Sequence, residues 1–572
     1  MNNKMGKNLS IVTISLLLLL ASTSAGQVFD VKSYGGQPNA DITQALTKAW
    51  KAACAVAGSK VVISAGTYKL GVVTLLGPCK GAVEFHLQGT LQAPSDLSSF
   101  NGKDFWVSFQ RINSLTVSGG GVFDGKGQTA WQKNNCAKQY SCKTLPINIR
   151  FDYVTNSIVH DIQSKDSKFF HINVMGCKNL KIQHVTITAP GDSPNTDGIH
   201  IGRSSKITIT NAKIGTGDDC ISIGDGTQDV TTNQVTCGPG HGISIGSLGR
   251  YQNEQPVSGI RVIGSTLSST KNGVRIKTWP SSPPGSASDM HFENIIMNNV
   301  ANPILIDQGY CPNNQCSNKS PSKVKISNVS FKNIRGTSAT KEVVKLICSN
   351  SVPCQQVVVA DIDLNVRFDY VTNSIVHDIQ SKDSKFFYIN VMGCKNFQIQ
   401  HVTITALGDS PNTNGIRIGR SSKITITNAK IGTGIRVIGG TLSSTKNGVR
   451  IKTWPSSPPG SASDMHFENI IMNNVANPIL INQGYCPNNQ CSNKSPSKVK
   501  ISNVSFKNIR GTSATKKAVK LIYSNSVPCQ QVVVAYIDLV YKEAGGSATS
   551  TCVNVKPTVL GKKNPCACTN KQ

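Results

Sequence analysis

A short pattern, a polar residue followed by alternating apolar residues, recurs through the middle of the chain. Its four occurrences begin at residues 197, 219, 241 and 272, so the first three starts are 22 residues apart and the fourth follows 31 residues later. Side chains that transfer protons or bind anions lie in or beside these occurrences. They are Asp197, Asp218, Asp219, His241, Arg275 and Lys277.

The three carboxylates and the imidazole suit the hydrolysis of a glycosidic bond. In that reaction one carboxylic acid protonates the leaving oxygen, while another carboxylate activates water or attacks carbon. Neighbouring carboxylates raise one another's pKa, so we expect one of them to stay protonated at mildly acidic pH. His241 would tune or share that proton. Arg275 and Lys277 would bind a substrate that carries a carboxylate on each ring.

The repeat period indicates how these residues are positioned. A period of about 20 to 30 residues, with short strands between Gly- and Asn-rich turns, is typical of a solenoid whose coils stack. In a parallel β-helix, equivalent positions of successive coils lie about 4.8 Å apart. The sequence therefore predicts an all-β chain in which one face carries a column made of Asp197, Asp219 and His241.

The start of the chain differs from the rest. Phe29–Gly35 has the pattern of a first strand, and Asp41–Val56 has the 3.6-residue apolar spacing of a helix. Solenoids need a polar-faced cap at each end, and this helix suits the N-terminal one. No other stretch has a helical pattern of comparable length, and runs with strand patterns follow up to the C-terminal tail.

The charge of the chain narrows the choice of partner. A net charge of +29 over 572 residues is compatible with nucleic acid, an acidic membrane surface or an acidic polysaccharide. Nucleic acid is disfavoured because the chain has no zinc-finger, RNA-recognition or helix-turn-helix pattern, no basic run and only 6% aromatic residues. A steering role for the charge and a merely cationic surface remain equal alternatives.

Residues 1–25 have the features of a secretory signal. Lys4 and Lys7 precede an apolar run at residues 11–20, and small residues follow at 23–25. The run is too short to span a membrane, so we expect a secreted protein that binds no membrane once the signal is removed. Disulfides among the 18 cysteines suit that compartment. So do the glycosylation sequons at Asn318, Asn328, Asn493 and Asn503.

A long segment of the chain is duplicated. Asn148–Leu364 reappears as Asn365–Leu539 almost letter for letter, but the second copy is 42 residues shorter (175 against 217). The missing residues correspond to 218–259, which include Asp218, Asp219 and His241. Asn414 and Arg417 replace Asp197 and His200, and Asn482 replaces Asp307. Arg450 and Lys452 still match Arg275 and Lys277. We therefore expect the second copy to be inactive.

The deletion should also disturb the stacking of the second copy. Only 11 residues separate Ile424 from Ile435, about half of what one coil needs. This predicts a break near residues 431–440. Cys348, which we expect to pair with Cys354, is replaced by Tyr523, and this leaves Cys529 without its equivalent partner.

Four blocks of the first copy resemble the signature blocks of the plant polygalacturonases, glycoside hydrolase family 28. They are Ser193–His200, Gly215–Cys220, Gly238–Gly249 and Arg275–Trp279, and they match in order and spacing. Residues 27–364 with the 540–572 tail are most similar to the pollen-type exopolygalacturonases. The resemblance implies a right-handed parallel β-helix that hydrolyses α-1,4 bonds of pectin, or polygalacturonate, with inversion, without metal or cofactor.

The same resemblance assigns roles within the first copy. It implies that Asp218 is the general acid, that Asp197 and Asp219 activate water, and that His241 supports the acid. It also implies a disulfide between Cys220 and Cys237 and a substrate-binding set made of Arg275, Lys277 and Tyr310. The expected organisation is a signal at 1–25, a catalytic β-helix at 26–364, an inactive copy at 365–539 and a Cys-containing tail at 540–572. We expect a monomer.

Three other functions remain to be weighed. A β-helical pectate lyase would use Ca²⁺ and an arginine base, and the paired aspartates with Gly240-His241-Gly242 disfavour it. A catalytically inactive pectin-binding wall protein would result if the duplicated segment disrupted the enzyme. Rhamnogalacturonan or xylogalacturonan is an alternative substrate. Overall likeness favours exo over endo action.

Overall fold

The computed structural model describes residues 26–133, 144–312, 316, 320–340, 343–363, 366–382, 387–405, 414–427, 430–431, 439–486, 491, 495–542, 547–566 and 568. The predicted signal at 1–25 and the sequons at Asn318 and Asn493 lie outside these residues. The chain forms two compact units. The first comprises residues up to 222 together with 228–240, and the second comprises 223–227 and the chain from 241 onward.

The first unit is a stack of parallel strands. Successive coils contribute strands to three columns, in which each strand pairs with the equivalent strand of the next coil. The first column contains β1 (Val28–Asp30), β2 (Ser59–Ile63), β5 (Val83–Leu87), β8 (Leu115–Ser118), β11 (Thr155–His160), β14 (Lys178–Gln183), β17 (Ser205–Thr210) and β20 (Gln228–Asn233). The second contains β3 (Thr67–Lys69), β6 (Thr90–Gln92), β9 (Val122–Asp124), β12 (Gln163–Lys165), β15 (Thr186–Thr188), β18 (Lys213–Gly215) and β21 (Thr236–Cys237). The third contains β4 (Val73–Leu76), β7 (Phe105–Gln110), β10 (Ile147–Asp152), β13 (Ile172–Met175), β16 (Ile199–Gly202) and β19 (Asp219–Ile223).

Stacking in register places like residues above one another. Ile172 pairs with Ile199, and Val174 pairs with Ile201, all with side chains buried in the interior. The rings of Phe109 in β7 and Phe151 in β10 stack with centroids 5.3 Å apart. The interior is therefore built from aligned aliphatic and aromatic columns, as the predicted β-helix requires.

Asparagines form ladders at the turns of the stack. The Nδ2 atom of Asn156 donates to Asn113 at 2.8 Å, and that of Asn179 donates to Asn156 at 2.9 Å. Asn156 and Asn179 have positive φ angles of 50° and 55°, a conformation that Asn tolerates better than most residues. The side chains thus bond one coil to the next where the backbone turns.

A helix, α1 (Thr43–Cys54), lies at the start of the first unit, as predicted. It buries one side, including Leu46 and Trp50, and the Cys54–Cys79 disulfide ties its end to the stack. The predicted first strand is shorter than expected. It ends at Asp30, because the Asp30 carboxylate accepts a 2.9 Å hydrogen bond from the N–H of Lys32 and caps a 3₁₀ turn at Val31–Tyr34.

Two further short helices belong to the first unit. They are the 3₁₀ helix Leu97–Phe100 and the five-residue α2 (Gln128–Gln132). Within the described residues, no helix has both the length and the apolar character needed to cross a membrane.

The second unit also consists of parallel strands, in columns that end near residue 431. One set contains β23 (Val257–Ile263), β24 (Thr266–Ser268), β26 (Gly285–Val300), β28 (Val324–Ser338), β30 (Cys354–Asp363), β32 (Val371–Lys382), β34 (Lys395–Gln400), β35 (Thr403–Thr405), β37 (Ser422–Thr427) and β38 (Lys430–Ile431). The other contains β22 (Gly242–Leu248), β25 (Asn272–Thr278), β27 (Asn302–Asp307), β29 (Val344–Ile347), β31 (Val366–Asp369), β33 (Phe387–Met392) and β36 (Asn414–Gly419).

Two separate sheets follow within the second unit. One contains β39 (Gly440–Ser443), β41 (Gly460–Val475), β43 (Val499–Ser513), β45 (Gln530–Tyr541) and β47 (Thr558–Asn564). The other contains β40 (Val449–Lys452), β42 (Ile479–Asn482), β44 (Lys517–Ile522) and β46 (Thr549–Val553). The predicted break near 431–440 falls mainly on 432–438, outside the described residues, and it stays a prediction.

The duplicated text repeats its structure. Phe292 and Phe331 stack with ring centroids 5.0 Å apart, and their counterparts Phe467 and Phe506 stack at 5.3 Å. The expected Cys348–Cys354 disulfide is present, and Cys529 forms no disulfide within the described part of the chain. Tyr523, which replaces the lost cysteine, is buried.

Candidate active site

Asp197 lies in the turn that leads into β16. The hydroxyl of Ser193 closes this turn with a 2.6 Å hydrogen bond to the carbonyl of Pro190. Thr196 is fully buried, and its Oγ1 accepts a 2.9 Å hydrogen bond from the N–H of Gly217 in the following coil. The Asp197 residue is only 6% exposed. The turns of two successive coils are therefore bonded directly to each other around this carboxylate.

Asp218 and Asp219 occupy the turn of that following coil. Asp218 is half-buried, and both of its carboxylate oxygens accept hydrogen bonds. The N–H of Asp219 donates to Oδ1 at 3.0 Å, and Nδ2 of Asn195 donates to Oδ2 at 3.3 Å. Asp219 is 2% exposed, and its carbonyl accepts a 2.9 Å hydrogen bond from the N–H of Gly198. These bonds fix the orientation of Asp218 and place Asp219 one coil from Asp197.

A hydrogen-bonded chain leads away from Asp197. Ser222 donates its hydroxyl proton to Oδ2 of Asp197 at 2.6 Å, and Nδ1 of His200 lies 2.8 Å from the same hydroxyl oxygen. Because the hydroxyl has one proton, which it gives to the carboxylate, His200 must donate from Nδ1. The His200 ring stacks on Phe170 with centroids 4.7 Å apart. The packing of one imidazole thus positions the Asp197 carboxylate through Ser222.

Two glycines allow the turns to approach closely. A Cβ atom on Gly217 would lie 1.9 Å from a carbonyl oxygen of the preceding turn, and one on Gly240 would lie 2.6 Å from the carbonyl oxygen of Asp218. Gly240 also has a φ of 140°, which other residues rarely adopt. The disulfide between Cys220 and Cys237, implied by the family resemblance, is present beside this turn. Larger residues at these positions would displace the acidic turn.

In the second unit, the predicted cations form a cluster with an aromatic ring. Arg275 and Lys277 are each 7% exposed. The guanidinium carbon of Arg275 lies 5.6 Å and Nζ of Lys277 lies 5.2 Å from the ring centroid of Tyr310. Arg275 Nε donates to the hydroxyl of Ser244 at 3.1 Å, and the Trp279 ring meets Tyr310 edge-on at 5.8 Å. Cation–π contacts of this kind hold long basic side chains in place.

An acid lies beside this cluster. Asp307 pairs with Lys277 in the register of β27 with β25. Burial raises the pKa of Asp307, although the N–H of Gly309 and the charge of Arg275 act in the opposite direction. Asp307 is thus an acidic group beside the two cations, and Arg275 favours its charged form.

Each of the two units contains part of the predicted set of site residues. Asp197, Asp218 and Asp219 belong to bonded turns of the first unit, and Arg275, Lys277 and Tyr310 belong to one cluster of the second. His241 is half-buried immediately before β22, and its carbonyl accepts a 3.3 Å hydrogen bond from Nδ2 of Asn272. Sequence reasoning missed four supporting residues: His200, Ser222, Ser244 and Asn195. The first three share the fourth position of the repeat with Arg275, which was the available signal.

Comparison with known proteins gives consistent matches. The sequence profile described as "Glycosyl hydrolases family 28" matches residues 54–366, 363–438 and 433–568. The chain is 56% identical over 346 residues to an exopolygalacturonase of Platanus acerifolia, which covers 60% of this chain and 92% of the relative. It is 57% identical over 326 residues to an exopolygalacturonase of Oenothera organensis, which covers 57% of this chain and 90% of the relative.

Solved structures match in fold. An endo-xylogalacturonan hydrolase of Aspergillus tubingensis superposes with a TM-score of 0.53 at 24% identity, over 61% of this chain and 95% of that one. A family 28 exopolygalacturonase of Yersinia enterocolitica superposes with a TM-score of 0.50 at 18% identity, over 70% of this chain and 78% of that one. The predicted parallel β-helix is therefore confirmed, and this chain belongs to the glycosyl hydrolases family 28.

Proposed function

We propose that this chain is a secreted polygalacturonase that hydrolyses α-1,4-galacturonosyl bonds of polygalacturonate with inversion, acting from the chain end in the plant cell wall. The observation that carries the proposal is the pair of buried carboxylates, Asp197 and Asp219, on bonded turns beside Asp218. Burying charged carboxylates is costly, so a chain that folds around them needs them for a task or for strong compensation. Relatives named exopolygalacturonase at 56% and 57% identity support the same conclusion.

In the proposed mechanism Asp218 donates a proton to the glycosidic oxygen. Its carboxyl group is half-buried and held by two N–H donors, so its position relative to the sugar is fixed before the reaction. Preorganisation of this kind lowers the barrier because no reorientation is needed in the transition state. His241, which follows Gly240 directly in the chain, would support this acid.

Asp197 and Asp219 would remove a proton from the attacking water. The Ser222 hydroxyl stabilises the negative charge of Asp197 at 2.6 Å, and it fixes one of the two oxygens. Thr196 and Asp219 are also buried, which limits competition from bulk water at these two carboxylates. In an inverting reaction the water attacks the face of the sugar opposite to the leaving oxygen.

Arg275, Lys277 and Tyr310 would bind the uronate carboxylate of the substrate. Arg275 and Lys277 are each 7% exposed and already packed against the Tyr310 ring. Substrate binding therefore costs little additional ordering of these side chains.

We further propose that the protein acts as a monomer, which light scattering of the secreted protein would test.

Product analysis tests the reaction class. We expect polygalacturonate incubated with the secreted protein to release galacturonate monomer from the earliest times, with new reducing ends and no absorbance at 235 nm, in the presence or absence of EDTA. Absorbance at 235 nm that EDTA abolishes would establish elimination and overturn hydrolysis. An early ladder of oligomers would contradict the exo mode alone.

A further inference from the structure

The duplicated segment keeps the cation–aromatic cluster that binds substrate in the proposed function. Its members, here called the second cradle, are Arg450, Lys452, Trp454 and Tyr485. The guanidinium carbon of Arg450 lies 4.7 Å and Nζ of Lys452 lies 4.3 Å from the centroid of the Tyr485 ring. Trp454 meets the same ring edge-on at 5.7 Å. The corresponding distances in the first copy are 5.6, 5.2 and 5.8 Å, so the geometry has survived duplication.

The second cradle is far more open than the first. Arg275 and Lys277 are each 7% exposed, whereas Arg450 is half-buried, Lys452 is exposed and Trp454 is 54% exposed. The deletion explains the difference. The missing residues correspond to 218–259, which include β22, the neighbour of β25, whereas β40 is the terminal strand of its sheet among the described residues.

The deleted residues also include two side chains that contact the cation–aromatic cluster of the first copy, at Arg275 and Trp279. The hydroxyl of Ser244 accepts a hydrogen bond from Arg275, and the Arg250 guanidinium lies 5.1 Å from the Trp279 ring centroid. Neither Ser244 nor Arg250 has a counterpart in the second copy. The loss of these residues leaves a basic and aromatic surface that a polymer can reach.

The charge balance of the second cradle also favours an anion. Asp307, which pairs with Lys277 in the first copy, is replaced by Asn482, which pairs with Lys452. The Asn482 side chain still accepts the turn hydrogen bond from Gly484, at 2.9 Å, so the local structure is kept without the negative charge. Burial tends to raise the pKa of Tyr485, but Lys452 and Arg450 outweigh it and the pKa is lowered. Both observations indicate a positive potential at this ring.

We propose that the second cradle is a non-catalytic binding site for the uronate carboxylates of polygalacturonate. The inference rests on the proposed function, since it takes its ligand from the first cluster. Arg450 and Lys452 supply charge-assisted hydrogen bonds to the carboxylate, and the exposed Trp454 ring covers the apolar face of the sugar. No hydrolysis follows, because Asp218, Asp219 and His241 have no counterparts and Asp197 is replaced by Asn414.

Two sites on one chain would hold a long polymer more strongly than either site alone. When one site is occupied, the other meets its ligand at a raised effective concentration. We expect a short oligomer to occupy each site independently, whereas a long polymer engages both. Stoichiometry with a short oligomer therefore counts the sites.

Titration calorimetry with a galacturonate trimer tests the proposal in the full chain carrying Asp218→Asn, which suppresses hydrolysis. We expect two trimers per chain, and one per chain when Arg450→Ala and Lys452→Ala are added. The matched control is Lys498→Ala with Lys500→Ala, which removes the same charge from exposed positions of the second copy and should keep two trimers per chain. A stoichiometry that the cradle substitutions leave unchanged, whether one or two trimers per chain, would overturn the proposal.

A second measurement guards against misfolding of the double variant. Because Trp454 is exposed in the cradle, trimer binding should change its emission, and Trp454→Phe should remove that component. A methyl-esterified trimer, which lacks the carboxylate charge, should bind the second cradle at least about tenfold more weakly. Equal binding of both trimers would contradict carboxylate recognition. Reducing-end release by the unmodified chain reports on the proposed function separately, so the two failures are distinguishable.

Discussion

Replacement of Ser222 by alanine should reduce activity without unfolding the protein. The Ser222 hydroxyl donates a 2.6 Å hydrogen bond to the buried Asp197 carboxylate and accepts one from His200. A hydrogen bond to a charged group contributes about 1.5 to 3 kcal/mol. If that energy is lost in the transition state, the rate falls by about 10- to 150-fold. We expect the loss mainly in kcat, because Ser222 contacts the catalytic carboxylate of Asp197. The cluster that binds the substrate carboxylate is made of other residues.

The assay is reducing-end release from polygalacturonate over a range of substrate concentrations, with thermal unfolding followed in parallel. Ser108→Ala is the matched control, because Ser108 is also a buried serine of the same strand column and its hydroxyl accepts a 3.0 Å hydrogen bond from the neutral Gln110 amide. We expect this control to change kcat less than about twofold. A Ser222→Ala variant with normal kcat and normal stability would refute the role assigned to the Asp197–Ser222 bond.

Three further predictions concern a substrate-binding cation and two buried side chains. Lys277→Ala should raise KM for polygalacturonate at least about tenfold, because a charge-assisted bond to the substrate is lost, whereas Lys325→Ala at an exposed position should leave KM unchanged. Tyr523→Phe should raise the free energy of unfolding by about 1 kcal/mol, because the buried Tyr523 hydroxyl has no hydrogen-bond partner within the described residues. The midpoint of urea unfolding measures this change, and an unchanged midpoint would contradict the prediction. Burial lowers the pKa of His171 to about 3. Below pH 6.5 the unfolded chain therefore binds a proton at this histidine that the folded chain does not bind. The free energy of unfolding consequently falls by about 1 kcal/mol per pH unit as the pH decreases. His171→Asn should therefore lose less stability than the unmodified chain between pH 6.5 and pH 4.5, and equal losses would show that another group is responsible.

The repeat made the central part of the fold predictable. A regular spacing of alternating apolar runs predicts coils whose equivalent residues stack, and in the interior Ile172 does pair with Ile199, as Val174 does with Ile201. The same spacing placed Asp197 and Asp219 in successive coils. The deletion in the second copy was also evident from the sequence, since aligning the two copies shows which residues are missing.

Other features depend on contacts that spacing does not reveal. The stacking of His200 on Phe170 joins side chains that are 30 positions apart, and the ring of Tyr310 meets Arg275 from a different coil. The early end of the first strand results from a local bond between Asp30 and Lys32. Such contacts depend on the orientation of individual side chains, which alternation of apolar residues does not specify.

The activity of Asp218→Asn in the full chain tests the central claim most directly. Asparagine keeps the shape of the side chain but has no proton to donate as an acid. Loss of a general acid costs about 10²- to 10⁴-fold in rate, so reducing-end release from polygalacturonate should fall by that factor. Asp229→Asn, which removes an exposed carboxylate of the same unit, should leave the rate unchanged. An Asp218→Asn protein that keeps more than about a tenth of the activity would contradict acid catalysis by Asp218.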